Sequence, residues 1–298
     1  MTVSMLDHPL DNLGTARFIA HLENNSPEWH ELRRAGIGGS DIAAICKTSP
    51  WTSPMALWAK KTGRLSDDYT PSEAAEWGTR LESVIIQKFQ DVHPEFEVVT
   101  DVGTWAHEER PWQLANPDGL VYDGDKHYIL EIKTAQFEDD WTDGVPAWYR
   151  TQIQWYLQTF GFCKAFVAVL FHGNKYREYE LEADEFEQDV NLKNVNAFRE
   201  LIATDTKPDY DGSMSTYETF RALHPEIDSD SEVELGDLGM HLSLEIDKLA
   251  KQEQLVTELK SRVLDAMGTA KRGIVHDIWV FTRQARNGGK PFLIQKRG

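Results

Sequence analysis

Cysteine is nearly absent from this 298-residue chain, with only Cys46 and Cys163. Two thiols exclude a disulfide framework, a four-cysteine zinc site and an iron–sulfur cluster, and free thiols suit a reducing compartment. Long apolar runs are missing too. The longest, Ala165 to Phe171, is far too short to span a bilayer. Met1 to Leu10 shows no basic start followed by an apolar core, so no secretory signal is expected. Basic charge is in deficit: 31 Lys and Arg against 49 Asp and Glu leave a net charge of −18. Such a chain is no general binder of nucleic acid, and any DNA contact needs a local basic groove or metal ions. No histidines are paired at a metal-ligating spacing. What is present is an ordinary globular balance, 41% hydrophobic and 27% charged, enough for one large domain or two modest ones.

The pattern along the chain predicts an irregular, loosely held arm up to about Pro27. A short helix follows over Pro27 to Arg34, opened by Ser26 and Pro27. The glycine-rich break at Gly36 to Asp41 leads into an apolar helix at Ile42 to Ile45, capped by Ser40 or Asp41. Further helices are expected over Pro54 to Thr62, Ser72 to Val92, Pro146 to Gly161 and Asp184 to Ala203. Strands are expected at Phe96 to Thr100 and Trp112 to Ala115, in a hairpin of Leu120 to Tyr122 with Tyr128 to Lys133, and in a buried run, Ala165 to Phe171, beside Tyr176 to Leu181. This order predicts an α/β fold with a central mixed β-sheet flanked by helices.

From Asp205 to Asp230 the composition shifts to Pro, Asp, Ser and Thr, the mark of a linker or small irregular cap. The expected division is therefore residues 1–204 as one domain, with residues 205–298 as an extension of linker, long helix and basic hairpin. Val233 to Met267 is helical in period, and its leucines suit packing on the chain's own core, or else an oligomer or partner contact. The tail reads as two strands around Asn287-Gly288-Gly289. It holds seven basic residues (Lys271, Arg272, Arg283, Arg286, Lys290, Lys296 and Arg297) against one acidic, Asp277. With Trp279 and Phe281 interleaved, that tail is either a packed edge hairpin or a DNA contact. The ten tryptophans suit the core better than base stacking.

The strongest constellation is Asn116-Pro117-Asp118-Gly119-Leu120 followed by Leu130-Glu131-Ile132-Lys133. Residues two apart on a strand share a face, so Glu131 and Lys133 project together while Ile132 points the other way. The hairpin can bring Asp118 alongside. Two carboxylates and the Ile132 carbonyl suit Mg²⁺ or Mn²⁺ with open water positions, and Lys133 would orient or deprotonate an attacking water. Read alone, Pro-Asp-Gly is also ordinary turn chemistry and Glu-x-Lys an ordinary solvated strand. Glu82 in Trp77-Gly78-Thr79-Arg80-Leu81-Glu82 adds a third carboxylate or a solvated helix charge. Gln152 shares a helix face with Tyr156 and is either a holder of water and phosphate or plain helix surface. Arg33 and Ser40 flank the glycine-rich break, which suits an anion pocket or a flexible turn with a capping serine.

Taken in order, Trp29-His30-x-Leu32-Arg33 with Gly38-Gly39-Ser40, Trp77-Gly78-x-x-x-Glu82, Pro117-Asp118-Gly119, Glu131-Ile132-Lys133 and Gln152-Ile153-Gln154 resemble the YqaJ and lambda-exonuclease family of phage recombination nucleases, within the PD-(D/E)XK superfamily. Pro208 to Pro225 resembles the continuation of YqaJ-type proteins. The resemblance implies a restriction-endonuclease-like core. It implies catalytic Mg²⁺, with Mn²⁺ as a substitute, on Asp118, Glu131 and the Ile132 carbonyl, and Lys133 as base or electrostatic partner. Glu82 and Gln152 would complete the site, and Arg33 and Ser40 would hold the 5′-terminal phosphate. The implied activity is 5′→3′ digestion of one strand of linear duplex DNA to 5′-mononucleotides. A 3′ single strand would remain for a phage single-strand annealing protein. The implied partners are duplex DNA ends, with a homo-oligomer such as a trimer and no membrane. The implied setting is the cytoplasm of a bacterial host, encoded by phage or prophage. Other readings are a structure-specific or nicking endonuclease on the same core, or a non-catalytic DNA-end-binding module.

Overall fold

The computed structural model of the chain describes residues 2–4, 12–23, 26–66, 72–286 and 288–296. The elements run in the order β1 (Thr2–Ser4), β2 (Asn12–Leu13), β3 (Ala16–Ala20), α1 (Pro27–Ala35), α2 (Gly39–Ile45), α3 (Pro54–Lys61), α4 (Glu73–Val92), β4 (Glu97–Thr100), β5 (Thr104–His107), β6 (Leu114–Ala115), β7 (Gly119–Asp123) and β8 (Lys126–Ala135). They continue with α5 (Ala147–Phe160), β9 (Lys164–Phe171), β10 (Lys175–Glu182), α6 (Glu185–Ala203), α7 (Met214–Leu223), α8 (Gly236–Met267), β11 (Arg272–Val275), β12 (Ile278–Gln284) and β13 (Phe292–Gln295). Two compact units result, Met1–Glu226 and Ile227–Gly298. No helix among the described residues is long and apolar enough to cross a membrane.

The first unit is built on a six-stranded sheet in the order β1-β4-β7-β8-β9-β10. Pairing is antiparallel for β4/β7, β7/β8 and β9/β10, and parallel for β1/β4 and β8/β9. The parallel pair β8/β9 is joined by α5, a βαβ crossover flanked by the antiparallel pairs β7/β8 and β9/β10. This is the mixed sheet flanked by helices that the element order predicts. Side chains alternate across β8. Ile129 packs with α5 in one cluster, Leu130 and Ile132 with Ile85, Ile86 and Phe89 of α4 in the other. Strand β9 is covered on both sides, which is why it reads as an unbroken apolar run.

Local sequence explains the helix ends. Ser26, Ser53, Ser72 and Asp184 each accept a backbone N–H in the first turn of α1, α3, α4 and α6. Helix α5 stops at Gly161, whose φ of +68° is left-handed. At α2 the cap is Gly38, not Ser40 or Asp41. Those two lie inside the first turn, and the Asp41 carboxylate accepts the Gly38 N–H at 3.0 Å.

Three other expectations are corrected. The arm before Pro27 is not loosely held throughout. Within it β3 pairs with β5, Ala16 is fully buried, and Phe18 meets Trp105 edge-on at 5.5 Å. The rest of the expected arm, residues 1, 5–11 and 24–25, lies outside the described residues. The segment after Asp205 is not only linker, for it contains α7. That helix docks on α3, with Thr216 Oγ1 donating to Ser53 Oγ at 2.8 Å and Ser53 N donating to Ser215 Oγ at 3.0 Å. The expected division at residue 204/205 therefore falls inside the first compact unit. Finally, α8 does not pack on a core. None of its residues is buried, and Leu238 and Leu242 remain more than 60% exposed. Leu238, Leu242, Ile246, Leu249 and Val256 recur at steps of four, four, three and seven, an apolar stripe of helical period that stays exposed.

In the second unit β11, β12 and β13 form an antiparallel sheet of three strands where two were expected. The additional turn is His276-Asp277, both at positive φ, which matches the twist of a tight hairpin. Asn287 of the expected turn lies outside the described residues. Of the tryptophans, Trp58, Trp105 and Trp155 are fully buried in the core, whereas Trp51 and Trp77 are exposed.

Candidate active site

Strand β8 outruns its neighbour. Its pairing with β7 ends at Gly119 opposite Leu130, while its pairing with β9 continues to Ala135. The Ile132 N–H beyond that point has no β7 carbonyl to meet, and the Asp118 carboxylate accepts it at 2.7 Å. This offset sets Asp118 beside Glu131. On the α5 side, Glu131 Oε1 accepts from the Lys133 ammonium and, at 2.7 Å, from Gln152 Nε2. Gln152 also donates to Tyr156 Oη at 3.1 Å, and Tyr156 Oη donates to the Asn116 carbonyl at 3.1 Å. Lys133 Nζ lies 5.1 Å from the centre of the Tyr149 ring. Tyr149, Gln152 and Tyr156, at i, i+3 and i+7, form one face of α5 laid across the strand ends.

The electrostatics follow from burial of like charges. Glu131 is 1% exposed. Burial first, then the Asp118 charge, pushes its carboxyl up to about 8. Burial and Asp118 push Glu82 up to about 7. Burial raises Asp118 itself. Burial works against the Lys133 charge, but Glu131 and Asp118 overcome it and hold the ammonium above its usual value. Three mutually repelling carboxylates around one ammonium are short of positive charge.

Whether these residues fit a metal can be asked of their oxygens. Among the described residues, no three His, Cys, Asp or Glu side chains form a ready metal cluster. A hard cation that keeps several waters needs fewer ligands from the chain: two carboxylates and a carbonyl suffice. Glu131 Oε2 is buried with no hydrogen-bond partner, an acceptor in need of a donor or a cation. The donor set is all oxygen, and its charge deficit has the right sign. Asp118, Glu131 and the Ile132 carbonyl therefore fit a divalent ion.

The glycine-rich break places the remaining residues. Helix α2 crosses α5 so closely that a Cβ on Gly39 would fall well inside van der Waals distance of Tyr156 Cε1, and 3.1 Å from Gln152 Cγ. Ser40 follows, and its Oγ accepts from Arg33 Nη2 at 2.8 Å. Both line a cavity of about 350 Å³ with Trp29, Asp41, Lys60 and Lys61. A second cavity of about 420 Å³ contains Glu82, Asn116 and Asp118, and Trp29 borders both. Beneath the first lies a brace. The buried Lys61 ammonium pairs with Asp41 at 2.7 Å and donates to the Arg33 and Gly36 carbonyls. Burial would raise the Asp41 carboxyl, but Lys61 and Arg33 overcome it and hold it below its usual value.

The structure thus brings Asp118, Glu131, Lys133, Glu82 and Gln152 to one end of the sheet, with Arg33 and Ser40 adjoining across the Gly39–Tyr156 contact. Residues 28–162 match the YqaJ-like viral recombinase domain. Over a longer stretch the chain is similar to the YqaJ protein of Bacillus subtilis (strain 168), at 29% identity over 264 residues, covering 85% of this chain and 82% of that one. Its fold is similar to that of an alkaline exonuclease from Laribacter hongkongensis, with a TM-score of 0.50 and 21% identity, covering 60% of this chain and 94% of the other. Over 60% of its length the chain accordingly shares the fold of that exonuclease.

Around these motifs, sequence reasoning gave no site role to Asn116, Asp41, Lys61 or Tyr149, and it treated Tyr156 only as a helix neighbour of Gln152. A signal existed for Tyr149 and Tyr156, whose spacing with Gln152 marks one helix face. Lys61 carries no such signal, because its partners lie far away in sequence.

Proposed function

We propose that this chain is a Mg²⁺-dependent exonuclease that digests one strand of linear duplex DNA in the 5′→3′ direction. The products would be 5′-mononucleotides and a 3′ single strand. The observation that carries this reading is the buried, partnerless Glu131 Oε2 beside Asp118 and Lys133 at the end of the central sheet. Asp118, Glu131 and the Ile132 carbonyl hold Mg²⁺, or Mn²⁺ in its place. When bound, the cation supplies charge neutralisation at the phosphate and lowers the pKa of water. Gln152 fixes the Glu131 carboxylate through Oε1, and Tyr156 fixes Gln152 in turn. Lys133, held charged by its two carboxylate neighbours, orients the attacking water and offsets charge at the phosphate; taking the proton is the weaker role for an ammonium so stabilised. Glu82, with its carboxyl pushed up to about 7, is positioned to accept a proton in the second cavity. Arg33 and Ser40 bind the 5′-terminal phosphate, with Lys60 adding positive potential. DNA ends are the substrate. A strand-annealing protein would receive the product strand, and the setting would be the cytoplasm of a phage-carrying bacterium.

Digestion of a linear duplex labelled separately at each 5′ end and each 3′ end, with and without Mg²⁺, tests the reading. The expected result is Mg²⁺-dependent release of labelled mononucleotide from the 5′ ends first, an intact closed circular duplex, and no digestion by Asp118→Ala. Cutting of the closed circle would instead favour the endonuclease alternative on the same core. Equal degradation by Asp118→Ala would refute the site itself.

A further inference from the structure

The C-terminal sheet has two unlike faces. On one, Gly273 and Phe281 sit opposite each other against the end of α8, and a Cβ on Gly273 would lie 3.3 Å from Met267 Sδ. A β-bulge between Gly273 and Ile274 then shifts the register of β11 against β12. Bulges re-aim side chains. Here Trp279 comes over Thr282, donating to its Oγ1 at 3.0 Å. Thr282 faces Arg272 across the ladder, so Trp279 joins Arg272 on the second face. Arg272 Cζ and Lys296 Nζ each lie 4.8 Å from the centre of the indole. Gln284 pairs with Phe292 on that same face, and Arg286 lies 5.5 Å from the Phe292 ring.

Charge sharpens the picture. In a chain of net −18, the segment from Lys271 to Lys296 holds six cations and one carboxylate, Asp277. No ion pair among the described residues involves any of the six. Unneutralised cations set against the exposed Trp279 indole and the half-buried Phe292 ring are the composition of a surface that tracks a phosphate backbone and stacks on bases. A duplex buries its base faces, so rings on such a surface serve an unpaired strand.

We propose that the face bearing Arg272, Trp279, Phe292 and Lys296 binds single-stranded DNA. The cations contact phosphates, and a base displaces one cation from the Trp279 ring to stack there. This site is separate from the YqaJ-like motifs and stands whether or not the chain cuts DNA.

The test is fluorescence anisotropy of a labelled thymidine oligonucleotide titrated with full-length protein in EDTA, where no cleavage interferes, over a series of salt concentrations. The triple variant Arg272→Gln/Arg286→Gln/Lys296→Gln should bind more than tenfold more weakly at low salt. Its log–log salt slope should be shallower by about 2, since each phosphate contact on a single strand contributes about 0.7. Trp279→Leu should lose about tenfold in affinity with the slope unchanged, the size of one lost stacking contact. Circular dichroism verifies folding. Should either variant unfold, Arg286→Gln alone should still reduce the slope by about 0.7. Wild-type affinity and slope in the folded variants would overturn the proposal. So would displacement of the oligonucleotide by an acidic peptide of equal charge, or tighter binding of a duplex of equal length.

Discussion

Raising the pH should weaken the metal-free protein, and Glu131 gives the reason. Its carboxyl is pushed from 4.5 to about 8 in the folded chain, by burial and then by Asp118. A group with a raised folded-state pKa stabilises the fold fully below its unfolded value, and that contribution disappears as the pH rises through the folded value. The window here runs from about pH 4.5 to about pH 8. Each pH unit of this difference is worth about 1.4 kcal/mol. Glu131 alone should therefore cost on the order of 3–4 kcal/mol between pH 5 and pH 8, a fall in melting temperature on the order of 10 °C for a domain of this size. Glu82 acts in the same direction. Mg²⁺ should reverse the trend. In the proposed site it would bind the ionised carboxylates, so each proton displaced should make its apparent affinity rise about tenfold per pH unit below 7–8. Thermal melting in EDTA and in Mg²⁺, from pH 5 to pH 9, reads both effects. Glu131→Gln removes the titrating group and separates this local effect from general repulsion in an acidic chain. A melting temperature in EDTA that stays level or rises over this range, or an equally steep fall in Glu131→Gln, would refute the reasoning.

Three further outcomes follow from the geometry. Gly39→Ala should force Tyr156 and Gln152 away from Glu131, destabilising the fold by about 1–3 kcal/mol and lowering the cleavage rate by a larger factor than Ser40→Ala; melting and initial rates verify it. Lys61→Met leaves the buried Asp41 carboxylate with only Arg33 at 3.6 Å and the Gly38 N–H, and should cost about 3 kcal/mol. Lys61→Met/Asp41→Asn should recover most of that in denaturant titrations. Removing the 5′ phosphate from a linear duplex should slow digestion by the wild-type protein and leave Arg33→Gln unaffected, and equal slowing in both would remove Arg33 from the phosphate pocket.

The sequence made the strand-borne part of the site legible because strand geometry is local. Glu131 and Lys133 must share a face once that stretch is extended, and Asp118 must lie near them once the Asp123-to-Lys126 turn closes. The central sheet was legible for the same reason, through the buried run of β9 and the hairpin of β7 and β8. What escaped depends on elements meeting across long separations. Gly39 is silent until α2 lies on Tyr156, and Lys61 reads as an ordinary charge at a helix end until Asp41 and two carbonyls close around it. Strand β3 looks irregular alone because β5 supplies its order. Helix α8 failed in the opposite sense. Its leucines promise burial, yet they remain exposed.

The offset between β7 and β8 has one more consequence. The Ile132 amide proton is held by a carboxylate and not by a neighbouring strand, so whatever Asp118 carries is written onto a single backbone group. Its hydrogen-exchange rate and amide chemical shift should follow the filling and emptying of the site. That makes Ile132 a built-in spectroscopic reporter, readable without substrate or turnover.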